Sequence, residues 1–149
     1  MKKITSFTVD HTVLEKGIYV SRIDGDITTY DLRMRKPNTD DLISNSSMHS
    51  FEHMLATFLR NSKLADDIIY VGPMGCQTGF YVLVRNAEND NVLSVLKDCL
   101  IKISEYEGEV FGNSEIECGN YKNLDLSKAK DEALAFLEVL EKPQSFLYN

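Results

Sequence analysis

Residues 17–34 read GIYVSRIDGDITTYDLRM, and this stretch decides the fold. β-branched and aromatic residues flank an Asp-Gly-Asp, so the pattern predicts two strands folded back on a tight turn. Residues 67–85, DIIYVGPMGCQTGFYVLVR, repeat the arrangement with a Gly/Pro-rich turn between two further strands. Between them lies RKPNTDDLISNSS, a polar connection in which Pro37 stops the preceding strand.

Helical periodicity fills the remainder. A helix is predicted from about Ser47 to Arg60, with Ser46 or Ser47 as its N-cap. A second spans 90–107, with Asp90 as cap and Val92, Val95, Leu96, Cys99, Leu100 and Ile103 on one stripe. A third starts at Ser127 and ends before Pro143. Hairpin, helix, hairpin, helix, loop, helix predicts an α+β fold, an antiparallel β-sheet with helices packed on one face. At 149 residues, 1–149 reads as a single domain large enough to bury one core.

The formal charge is −7, from 16 basic and 23 acidic residues, with no Lys/Arg cluster. This argues against nucleic acid or an anionic membrane surface as partner. No apolar run approaches the roughly 20 residues that a bilayer crossing needs. The start, MKKITSFTVDHT, lacks the apolar core of a secretory signal, so a cytoplasmic location is expected. Three cysteines without framework spacing are expected as thiols or metal ligands rather than bridges.

The first helix carries MHSFEHMLATF at 48–58. His49 and His53 are four residues apart, about 40° on a helix, so both imidazoles can aim at one point with Glu52 beside them. This is H-x-x-E-H, a two-histidine metal helix with an adjacent acid/base carboxylate. The same pattern also fits a half-buried helix with two satisfied histidines. Two of only three histidines in the chain fall on this motif. Cys118, in EIECGNY, is the candidate third ligand, from a Gly-containing loop that lets a thiolate swing toward the helix. Cys76, within GPMGCQTGF, sits at a glycine turn where backbone amides favour thiolate, a candidate nucleophile or general base. Cys99 lies on an apolar stripe and reads as core.

Taken together, SFTVDHT, DLRMRKPN, HSFEH, GPMGCQTGF and ECGNY, in this order over most of the chain, resemble the S-ribosylhomocysteine lyases, bacterial enzymes that make the autoinducer-2 precursor. The resemblance implies that His49, His53 and Cys118 hold a divalent metal, one per subunit. It implies iron(II) as the native ion, with zinc or cobalt as substitutes. It further implies Glu52 and Cys76 as the acid/base pair, and Ser6, His11 and Arg33 as substrate-binding residues. The implied reaction converts S-ribosylhomocysteine to homocysteine and 4,5-dihydroxy-2,3-pentanedione by carbonyl migration and β-elimination, serving the methyl cycle and quorum sensing. A homodimer with active sites at its interface is also implied. The chain departs from many members at Leu124, near which they carry a histidine.

The chemistry explains the residues. A thioether leaves readily only when a carbonyl lies two bonds away, so the carbonyl must be moved along the sugar by repeated proton transfers. Two tuned acid/base groups and an electrophilic ion serve that need. The rival reading is an H-x-x-E-H metallopeptidase, for which Glu132 stands at a comparable separation to act as third ligand. That rival leaves the Cys76 turn without a role.

Overall fold

The computed structural model describes residues 1–148. Strand β1 (Gly17–Asp24) pairs antiparallel with β2 (Ile27–Arg33), and Gly25 at φ +61° permits the two-residue turn between them. β3 (Ile68–Pro73) and β4 (Gly79–Arg85) form the second hairpin. β4 also pairs antiparallel with β2, so the sheet runs β1-β2-β4-β3. The expected α+β architecture is present.

Alternation assigns the two sheet faces. Thr28, Tyr30 and Leu32 of β2 and Phe80, Val82 and Val84 of β4 point into the core. Over that face lie α1 (Asn45–Arg60), α2 (Asn89–Glu105) and α3 (Leu126–Leu140). Helix α1 buries Met48, Phe51, Met54, Leu55 and Leu59, and Phe51 meets Phe80 edge-on at 5.2 Å between centroids. All six stripe residues of α2 are buried, Cys99 among them. The loss of about 3–5 kcal/mol expected on truncating a buried phenylalanine makes the Phe51 contact a main tie between helix and sheet.

Three helix starts differ from the sequence expectation. α1 begins earlier, at Asn45, because Ser44 rather than Ser46 or Ser47 takes the cap, its hydroxyl accepting from the Ser47 amide. Ser46 instead donates to the carbonyl of Asn123. α2 begins at Asn89 after an N-cap at Glu88 without a side-chain cap, not at Asp90. Asn89 is drawn to Tyr30, whose hydroxyl it accepts at 2.7 Å. α3 starts at Leu126, with Asp125 accepting from the Ser127 amide and hydroxyl.

Among the described residues the opposite sheet face carries no α-helix, only the single 3-10 turn Thr5–Phe7 at its edge. Its β2 residues are Thr29, Asp31 and Arg33, and its β4 residues are Tyr81 and Leu83. The carboxy-terminal segment folds back along the edge strand β1, where the Val20 amide donates to the Phe146 carbonyl at 2.8 Å. Among the described residues no helix is long and apolar enough to cross a membrane.

Candidate metal centre

Helix α1 carries both histidines on its half-buried side. Their rings stand nearly perpendicular, 88° apart in plane, with centroids 4.6 Å apart. The loop after α2 brings the sulfur. Cys118 Sγ lies 3.3 Å from His49 Nε2 and 3.8 Å from His53 Nε2. Two nitrogens and a sulfur around a tetrahedral cation stand about 3.6 Å apart from N to S, given bond lengths of about 2.0–2.3 Å. The spacing brackets that value, so this donor set fits a divalent ion of borderline softness. It is the one group of three or more metal-ligating side chains found among the described residues.

The other ring nitrogens fix the tautomers. His53 Nδ1 lies 2.7 Å from the Phe111 carbonyl, and His49 Nδ1 meets the Asn123 side-chain oxygen. A carbonyl oxygen only accepts, so each Nδ1 holds the proton and each Nε2 presents a lone pair toward Cys118. Asn123 is itself oriented, because its amide donates to Asn45 at the first turn of α1. Thus the residue beside Leu124 supplies what steadies His49. Gly112 serves His53 in another way: a Cβ there would lie 3.0 Å from Nδ1, and its φ of +72° disfavours a side chain. The Asn120 amide points at Cys118 Sγ at 3.4 Å, a donor suited to a thiolate.

The three side chains that converge here are the ones the sequence singles out as candidate ligands, whereas Asn123, Phe111 and Gly112 carry no such mark. A backbone carbonyl has no residue signature, and a lone asparagine 74 positions from its histidine has no motif. Only the glycine in a turn-rich loop gave a legible hint.

Glu52 stands between two clefts. One, of about 260 Å³, is lined by His49, Glu52, Pro73 and Asn120; the other, of about 440 Å³, by Glu52, His53, Tyr70 and Gly112. Pro73 ends β3 just before the Cys76 turn. That turn is tied down on both sides. The Met34 and Arg35 amides donate to the Thr78 carbonyl, and Gln77 exchanges two bonds with Ile43, immediately before the α1 cap. Cys76 is exposed, with its sulfur 3.0 Å from the Thr78 hydroxyl.

Arg33 lies under this turn rather than in open solvent. It is 3 % exposed, forks onto Asp31 (1 % exposed) through Nε and Nη2, and donates from Nη1 to Thr78 at 2.9 Å. Burial opposes its charge, but the hydrogen bonds and attraction of Asp31 outweigh this and hold Arg33 firmly protonated. Ser6 and His11 sit elsewhere in the same chain. Ser6, in the 3-10 turn Thr5–Phe7, lies in a groove on the sheet face opposite the α-helices with Ser21, Thr29, Tyr70 and Tyr81, and His11 Nδ1 bonds to the Val9 carbonyl in the amino-terminal turn. Tyr70 borders both this groove and the cleft holding Glu52 and His53. Glu132 does not approach the histidines. It is buried against Arg35, which forks onto both of its carboxylate oxygens, so the peptidase reading loses its third ligand.

Comparison with known proteins agrees with this geometry. Residues 4–146 match the family model described as S-Ribosylhomocysteinase (LuxS). A relative from Desulfotalea psychrophila, named S-ribosylhomocysteine lyase, is 45% identical over 148 residues, covering 95% of this chain and 93% of its own. One of the same name from Finegoldia magna is 43% identical and covers 99% of both chains. Another, from Borreliella afzelii, is 44% identical over 94% of this chain and 93% of its own.

Proposed function

The chain belongs to the S-ribosylhomocysteinase family, and on that premise we propose that it cleaves the thioether of S-ribosylhomocysteine, releasing homocysteine and 4,5-dihydroxy-2,3-pentanedione, the autoinducer-2 precursor. The observation that carries this reading is the convergence of His49, His53 and Cys118 beside Glu52. The whole of 1–149 acts as one catalytic domain.

His49, His53 and Cys118 would hold one divalent ion, iron(II) in its native form and zinc or cobalt as replacements. When bound, that ion supplies electrophilic stabilisation of the negative charge that develops on sugar oxygens as neighbouring protons leave. A cation with three protein ligands keeps a place for substrate.

The rest falls to side chains. Cys76 removes protons from sugar carbons as a thiolate and returns them one carbon along, so each cycle moves the carbonyl without net oxidation. Glu52 carries protons at the oxygens and at the later carbons. Two such shifts place the ketone at C3. Removal of the C4 proton then drives electrons into the C4–C5 bond and expels homocysteine as thiolate from C5. Arg33 and Thr78 support the Cys76 charge, Arg33 donating to the Thr78 hydroxyl and that hydroxyl donating to a thiolate Sγ. Arg33, expected at the substrate's polar end, is instead buried with Nε, Nη1 and Nη2 donating to Asp31 and Thr78, so it serves the site through Cys76, while Ser6 and His11 bind the sugar or amino-acid portion of the substrate.

Neither Ser6 nor His11 lines the two clefts at Glu52 within one chain, which supports a homodimer whose active sites form between subunits. The sheet face opposite the α-helices offers the surface for it, with half-buried Tyr81 and Leu83 beside exposed Tyr70. Free thiols at Cys76, Cys99 and Cys118 fit a reducing cytoplasm.

Replacing Cys76 by alanine tests the assignment. Turnover of S-ribosylhomocysteine should vanish while metal stays near one ion per chain. Residual turnover near the native rate rules Cys76 out as the base.

A further inference from the structure

We propose that Tyr148, at the carboxy-terminal end of the described chain, is a positioning residue for Cys76, acting through Asp31, Arg33 and Thr78. The inference rests on the reading of Cys76 as a thiolate base.

The contacts form one unbroken series. The Tyr148 hydroxyl donates to Asp31 Oδ2 at 2.6 Å. The same oxygen accepts from Arg33 Nη2, while Asp31 Oδ1 accepts from Arg33 Nε. Arg33 Nη1 donates to Thr78 Oγ1, which lies 3.0 Å from Cys76 Sγ. Every donor of Tyr148 and Arg33 in this series has an acceptor, and the ion pair is shut away from water. In such surroundings each polar contact is felt by the next.

Other parts of the tail exist to hold Tyr148 there. Phe146, at φ +63°, turns its ring into the core against Tyr30, with centroids 6.5 Å apart. Its carbonyl accepts from Val20, so the tail is pinned beside β1. Two residues on, the Tyr148 ring stacks on Tyr19 at 5.0 Å and 15° and reaches Asp31 on the face opposite the α-helices. Residue 147, between them, points outward and is exposed.

Arg33 feels both Asp31 and Cys76, and the phenols of Tyr19, Tyr81 and Tyr148 feel Asp31 and Arg33. Burial, then the negative Asp31, push all of these phenols upward, so they stay protonated and act as dipoles. Of the three, Tyr148 is the one that donates to Asp31. Its O–H draws carboxylate density away from Arg33, leaving more guanidinium charge for Thr78 and Cys76. It also stops Asp31 from swinging and taking Arg33 with it.

Tyr148→Phe removes this donor and keeps the ring on Tyr19. The readout is the pH dependence of iodoacetamide alkylation at Cys76 in the metal-loaded full chain, resolved from the other thiols by peptide mass spectrometry. The midpoint should rise by about half to one pH unit, slowing alkylation below it about three- to tenfold. The unfolding temperature should remain close to native. Tyr148→Ala, which loses ring and hydroxyl together, should shift the midpoint at least as far. If Tyr148 only packs, the phenylalanine variant titrates like the native chain and the alanine variant alone is shifted; that outcome overturns the proposal. Failure of the base assignment shows separately, as turnover surviving in Cys76→Ala, whereas the alkylation midpoint reads the thiolate itself.

Discussion

At Asn123 a single amide connects two requirements, orienting His49 by its oxygen and gripping Asn45 by its nitrogen. The alanine variant should leave the His49 Nδ1 proton without its acceptor. Metal affinity is expected to fall about 10- to 100-fold, the usual cost of losing such a partner. Competition against a chelating dye measures this, and an affinity equal to native would show that Asn123 does not steady the ligand. The histidines were legible in the sequence because two imidazoles four residues apart on a helix must share a face. Cys118 was legible as the thiol in a loop loose enough to reach them. Asn123 was not, since its role comes from the loop's path rather than from any spacing. Arg33 carried a motif but no hint of burial, which follows from Asp31 two residues back on the same strand face.

Helices and strands were read more completely than their ends. The apolar stripe of α2 predicted its buried set in full, because helical period and burial are the same fact seen twice. Caps are hard to assign where several polar residues compete, as in Ser-Asn-Ser-Ser, where Ser46 is drawn off to the Asn123 carbonyl and Ser44 takes the Ser47 amide. Within α2, Cys99 makes burial measurable. Burial lifts its thiol from 9.0 to about 11. The unfolded chain gives up this proton near pH 9 and the folded one keeps it. The contribution is therefore fully present below about pH 9 and drains away toward pH 11, by at most ~1.4 kcal/mol per pH unit. Denaturant titrations from pH 8 to 10.5 should show native stability falling faster than that of Cys99→Ala. Parallel slopes would mean that the thiol is not held neutral by the fold.

At the scale of the whole molecule, the fold places the helix bearing His49 and His53 on one side of a sheet and the Asp31–Arg33 ion pair on the other. β2 and β4 join them, since both contribute alternate residues to each face. The ion pair of Arg35 with Glu132 ties α3 to the segment that follows β2 and so braces the Cys76 turn from behind. The sequence showed the antiparallel sheet and its helical cover through periodicity alone. It did not show that Ser6 would lie in a groove apart from the metal, because which chain completes a site is a matter of assembly. Sedimentation equilibrium should give twice the mass of one chain at micromolar concentration. A monomer that still turns over at its full rate would contradict a shared site.

The central claim is that a metal held by His49, His53 and Cys118 is required for thioether cleavage. It is tested most directly by following homocysteine release from S-ribosylhomocysteine before and after the metal is stripped by a chelator. The account predicts release by the loaded protein, its loss on stripping, and its return when iron(II), zinc or cobalt is restored. Undiminished release from protein verified to be metal-free would contradict it.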